Sequence, residues 1–273
     1  MNRSFLKDLW IQFHEDELAG LSAELAYFFL LSLFPFLIFL ITLIGFLPLS
    51  EDSVLDFVAQ YAPIESLQII EQTLEGVIQK HNGGLLSFGI LATLWAASNG
   101  LNAVIRAFNR AYDVKETRSF LVARFMSVLL TVAMIVVIII ALLLPVFGKQ
   151  IGLFIFSSFG LSESFLSVWN AGRWIVSFIV LFIVFSCLYY FAPNVKLHWK
   201  EIFSGALFAT IGWIIVSTAF SYYVGNFTNY SATYGSLGGI IVLLIWFYLT
   251  GMIILIGGEI NAILNCYRRK KVS

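Results

Sequence analysis

Asn99, Asn102, Arg106, Asn109 and Arg110 step by three or four residues through an otherwise apolar stretch, and Trp95 and Ser98 continue the series. On a helix this spacing puts them on one face for about four turns. The amides both donate and accept hydrogen bonds, and a guanidinium fork matches the oxygens of a phosphate. Such a stripe suits a polar groove that holds the headgroup of an anionic amphiphile. In the competing reading, Arg106 and Arg110 extend to lipid phosphates at the membrane edge while the asparagines tie helices together. Two acids belong to the same problem. Glu24 sits in Ala23–Glu24–Leu25–Ala26–Tyr27, and Glu259 is followed by Asn261 and Asn265. Either acid is expected at the depth of Arg106, where an ion pair lowers the cost of placing charge in a dry site. Exchange with a bound ligand, a fixed pair holding helices together, and proton coupling through Glu24 or Glu259 are the three uses open to them.

Other chemistry lacks its residues. His14, His81 and His198 have no second histidine or acid at metal-ligand spacing, and no HExxH, CxxC, GxSxG or phosphate-loop pattern occurs. Asp113 and Glu116 lie among Arg110, Lys115 and Arg118, as in a solvated, salt-bridged link. Cys187 and Cys266 read as small apolar fillers. The expectation is a non-enzyme with no cofactor and no metal. Formal net charge is zero, so no field advertises nucleic acid as a partner. Membrane lipids are the expected partners, an envelope protein is a further one, and the sequence sets no oligomeric state.

The elements that carry these residues must lie in lipid. Sixty per cent of the 273 residues are hydrophobic and 12% charged, against roughly 25% charged in a soluble domain. One water-soluble core cannot bury so much apolar surface. Six stretches are long enough to span a bilayer: approximately Ala26–Leu47, Leu85–Ile105, Phe125–Phe147, Trp174–Phe191, Ile202–Tyr222 and Leu237–Asn261. Pro48, Pro145 and Pro193 fall where helices should stop. Pro35 falls inside the first span, where it should kink the helix or free a carbonyl. The fold class is all-α, a polytopic membrane protein of about six transmembrane helices. Short amphipathic helices are expected in the outer links, two within 52–79 and an interfacial segment within 150–170. Phe5–Glu17 reads as a short helix against the membrane surface or the bundle. The parts are an N-terminal arm (1–25), a membrane domain (26–265) and a basic tail (266–273).

Thirteen of the sixteen Lys and Arg residues fall in the arm, the links after spans two and four, and the tail; Lys80, Lys149 and Arg173 remain for the other side. That asymmetry predicts both termini in the cytoplasm. The arm is too polar and acidic for a cleaved leader, so the first span is expected to act as its own insertion signal. Gly235, Gly238 and Gly239 open span six, Gly251, Gly257 and Gly258 continue it, and Gly205 pairs with Ala209 on span five; small residues at such spacing let helices approach closely. Tyr222, Tyr223, Asn226, Asn229, Tyr230 and Tyr234 suit an interfacial aromatic belt or the rim of a conduit.

Several runs carry a resemblance. They are Ala26–Tyr27–Phe28–Phe29–Leu30–Leu31–Ser32–Leu33–Phe34–Pro35, Trp95–Ala96–Ala97–Ser98–Asn99–Gly100–Leu101–Asn102, Ala107–Phe108–Asn109–Arg110–Ala111–Tyr112, Tyr190–Phe191–Ala192–Pro193–Asn194, Tyr234–Gly235–Ser236–Leu237–Gly238 and Gly257–Gly258–Glu259–Ile260–Asn261–Ala262. Over roughly Leu18–Asn265 the chain resembles the BrkB/YihY-like membrane protein family, some members of which once carried a ribonuclease BN label. The resemblance implies six transmembrane helices in a bacterial inner membrane. It also carries over Pro35, Trp95, Asn99, Asn102, Arg106, Asn109, Pro193, Asn194, Tyr234, Gly235, Gly238 and Glu259. The expected function is a transporter or flippase-like protein for a lipid or other amphiphilic anion. The alternative is a membrane organiser serving envelope integrity, with a membrane nuclease as the remote reading.

Overall fold

A computed structural model describes residues 3–44, 83–133, 163–226 and 237–272. Seven helices occur among them: α1 (Arg3–Glu15), α2 (Leu18–Ile44), α3 (Gly83–Ala111), α4 (Phe120–Ala133), α5 (Glu163–Phe191), α6 (Trp199–Asn226) and α7 (Leu237–Val272). Five of these, α2, α3, α5, α6 and α7, are long and apolar enough to cross a membrane. α4 is apolar and shorter, and the rest of the third expected span, along with the links 52–79 and 150–162, lies outside the described residues.

α4 shows why the chain needs lipid. Phe120, Leu121 and Phe125 are exposed, whereas Ser127 and Thr131 are buried. The two hydroxyls return to backbone carbonyls one turn earlier, Ser127 to Ala123 at 3.0 Å and Thr131 to Ser127 at 2.7 Å. Small polar residues inward and large apolar residues outward is the packing of a helix whose solvent is hydrocarbon.

The helices run longer than hydropathy alone indicates. α5 begins at Glu163, so residues 163–170, expected as part of an interfacial segment, form one helix with span four. No Pro interrupts 163–174, and backbone hydrogen bonding continues past the apolar run. α7 has 36 residues, about 54 Å at 1.5 Å per residue. It exceeds a hydrocarbon layer of about 30 Å, and its basic last turns emerge from it. Pro35 lies within α2, which continues through it. Its ring removes the hydrogen bond to the Leu31 carbonyl.

Two compact units divide the chain, residues 1–27 with 98–273, and residues 28–97. In the first, α7 packs along α6, α6 along α5, and α1 against α7. Phe5 and Leu9 of α1 meet Ile256, Ile260, Ile263, Leu264 and Tyr267 of α7. The opposite face of α1 exposes Leu6, Trp10 and Ile11. Glu17 has φ 54° and turns the chain from α1 into α2. In the second unit, Gly89 leaves no room for a side chain: an added Cβ would lie 2.9 Å from the Phe39 backbone nitrogen.

The α6–α7 crossing depends on glycine in the same way. A Cβ on Gly205 would meet the Gly257 carbonyl and the Asn261 amide, one on Gly257 the Tyr189 hydroxyl, and one on Gly258 the Phe108 ring. Gly239 faces open space, Gly238 is buried, and Gly235 lies outside the described residues.

Candidate functional site

α3 divides the polar stripe between two faces. Ala96, Ala97, Gly100, Leu101, Ala103, Val104, Ile105, Ala107 and Phe108 are buried, and Ser98 and Asn109 lie on that inner side with them. Trp95, Asn99, Asn102, Arg106 and Arg110 form the other face: the asparagines are half-buried, the tryptophan and arginines exposed. A soluble amphipathic helix shows the same polarity, yet this helix has the length and composition of a membrane span. Leu85, Phe88, Ile90 and Leu91 are exposed in its first half, so its accessible face is apolar there and turns polar from Asn99 to Arg110.

Each charged member of that face has a partner. Arg106 Nη2 donates to Glu24 Oε1 at 2.5 Å, with side chains 52% and 34% exposed. Of the two acids open to Arg106 from the sequence, Glu24 is the one it meets. Arg124, on α4, donates to Asn99 Oδ1 at 2.7 Å. Arg110 reaches the Asp16 backbone carbonyl at 3.2 Å, tying α3 to the α1–α2 turn. Guanidinium groups from α3 and α4 thus flank the Asn99–Arg106 segment.

The buried candidates do other work. Asn109 Nδ2 donates to Glu116 at 2.8 Å, and its oxygen accepts from the Asn194 backbone N–H at 2.6 Å. Arg118 grips both Glu116 oxygens at 2.8 Å and also reaches the Ala192 carbonyl at 2.9 Å. These bonds knot the α3–α4 link to the Ala192–Asn194 turn. The bonds from the Arg118 side chain hold the Glu116 carboxyl below the ordinary range; partial burial works against them, and further bonds from the Arg118 backbone and Asn109 add to them.

Glu259 is 1% exposed and lies close to Asp16, itself 8% exposed, and its Oε2 finds no partner among the described residues. Burial raises the Asp16 carboxyl above the ordinary range, while its interaction with Glu259 and the Arg110 charge pull it down. Asn261, one turn along, accepts from the Gly205 N–H at 2.7 Å, and the Tyr189 hydroxyl donates to the Ile254 carbonyl at 2.8 Å. The structure therefore brings Glu24 to Arg106 and keeps Asn109 and Glu259 off the exposed face. Sequence reasoning missed Arg124, read as one of a basic link, and Asp16, which was not singled out from the polar arm.

The chain matches the family described as Virulence factor BrkB over residues 9–272. It belongs to the BrkB family. This BrkB-family chain is 58% identical to the ribonuclease-like protein YfkH of Bacillus subtilis (strain 168), across 98% of its own length and 97% of the relative's. It is 25% identical to a UPF0761 membrane protein of Stenotrophomonas maltophilia (strain K279a), across 98% of its length but 62% of that longer protein. A Vibrio cholerae UPF0761 membrane protein is 35% identical over 105 residues, covering 38% of this chain and 35% of the relative. No solved structure matches. Among the described residues, no three His, Cys, Asp or Glu side chains gather as metal ligands would.

Proposed function

We propose that this BrkB-family membrane protein moves a lipid or another amphiphilic anion across the bacterial inner membrane, with both termini in the cytoplasm. One observation carries the reading: a helix of membrane-spanning length and composition turns a polar face outward along its C-terminal half, with Asn99, Asn102 and the half-exposed Arg106–Glu24 pair along it. A polar face at membrane depth needs a polar occupant. An anionic headgroup entering there would take over Arg106 from Glu24, while its chains stay in hydrocarbon against exposed Phe and Leu side chains. The lateral route places no demand on a nucleotide site or a reacting centre, and on this reading the protein is not an enzyme. Reconstitution into liposomes with a panel of fluorescent phospholipids tests it. Flux that depends on the protein and falls in Arg106→Ala is expected; no flux over the whole panel from folded protein would overturn it.

A second reading has its own support. The Asn109–Glu116–Arg118–Asn194 knot and the Asn261–Gly205 bond are internal fasteners, which is what a non-transporting organiser of the envelope would need.

A further inference from the structure

We propose that the end of α7, the end of α3 and α1 form a binding site for a small zwitterionic phosphate ester, one carrying a phosphate and an ammonium on a short polar body, as in a phosphoethanolamine group. A cavity of about 720 Å³ opens between these elements. Asn265 lines it, 3% exposed, and neither its amide nitrogen nor its amide oxygen has a hydrogen-bond partner among the described residues. Tyr112 lines it too, and its enclosed hydroxyl is likewise without one. Buried polar groups are almost always satisfied, and each one left bare costs about 1–3 kcal/mol. Three such atoms on two residues that line one cavity point to a place that takes hydrogen bonds from an occupant, reached by a small turn of either side chain.

The charges around the cavity say what arrives. Arg269 and Lys270 are exposed on its wall, where an ammonium and a guanidinium suit a phosphate. Asp113 and Asp8 also line it. Asp8 takes the Tyr267 hydroxyl, and Asp113 is exposed in a left-handed turn at φ 51°. Two bases and two acids sum to zero, so the lining complements a molecule with both signs better than a simple anion. The phosphate goes to Arg269 and Lys270, the ammonium to Asp113, and the hydroxyls or ester oxygens to Asn265 and Tyr112. This site does not depend on the transport reading, since it shares no residue with the exposed face of α3.

The group can arrive on a soluble molecule or on a lipid, and the test separates the two. Full-length purified protein is titrated calorimetrically with O-phosphoethanolamine, ethanolamine and inorganic phosphate. In nanodiscs, native mass spectrometry reads retention of phosphatidylethanolamine. Saturable binding of O-phosphoethanolamine, at least tenfold tighter than either half alone, is expected if the source is soluble. Lipid retention without it assigns the source to the membrane. In both cases the exposed double variant Arg269→Gln/Lys270→Gln should weaken binding at least tenfold. Asn265→Leu should do the same with the unfolding midpoint at or above wild type, because no internal hydrogen bond is lost. Should Asn265→Leu fail to fold, the double variant decides. The proposal fails if no probe binds saturably, if inorganic phosphate binds as tightly as the ester, or if the double variant binds like wild type.

Discussion

Arg106 is where the competing readings of this protein separate. Its bond to Glu24 is half-exposed, and pairs of that kind contribute about 0–1 kcal/mol. Arg106→Ala should therefore leave the unfolding midpoint in detergent almost unchanged while lowering lipid flux at least tenfold. Arg106→Lys should restore flux if positive charge suffices and fail if the guanidinium fork is what grips the headgroup. An organiser predicts no flux in the wild type and so none to lose in either variant. Two carboxyls outside the spans titrate with opposite sign. Glu116 is held down by Arg118, so its contribution is present above the ordinary glutamate range and is lost as pH falls through the lowered value. Asp16 is raised by burial, so its contribution is full below the ordinary aspartate range and is lost as pH rises through the raised value. Thermal unfolding against pH checks both. Asp16→Asn should lessen the loss on raising pH, and Arg118→Gln should flatten the acid limb.

At the scale of elements, glycine positions sort by what faces them. Gly205→Ala drives a methyl into the Gly257 carbonyl and the Asn261 amide, neither of which can swing aside. A loss of roughly 1–3 kcal/mol or more is expected, read as a lower unfolding midpoint. Gly239→Ala meets nothing within 4 Å and should be neutral or stabilising by up to about 1 kcal/mol. The spacing of Gly205, Ala209 and the span-six glycines was legible from sequence; which of them bear the contact was not, because spacing fixes a face without naming its neighbour. The polar stripe on α3 shows the same limit. Steps of three and four found Asn99, Asn102, Arg106 and Arg110 on one face, but the same rule admitted Asn109, which the structure turns inward. Helix ends were the least legible, since α5 and α7 continue through polar residues where hydropathy falls away.

For the whole molecule, hydropathy was enough to identify a membrane protein, and the long motifs were enough to place the family. Long-range partners were hidden. Nothing in the local pattern sends Arg106 to Glu24 rather than Glu259, or Glu259 to Asp16 on the arm, because these choices follow from how helices rotate against one another. Basic-residue asymmetry predicts the orientation: a tag after Lys149 and one at Ser273 should report opposite compartments by protease protection, and the same compartment for both would refute it. The central claim is that the polar face of α3 holds an anionic lipid headgroup in the membrane. Photocrosslinking in intact membranes tests it most directly, with a photoreactive side chain placed at Asn102 and, as control, at the buried Ile105. Anionic phospholipid adducts from Asn102 and none from Ile105 are the expected result; adducts to protein alone from Asn102, or equal lipid labelling from both positions, would contradict it.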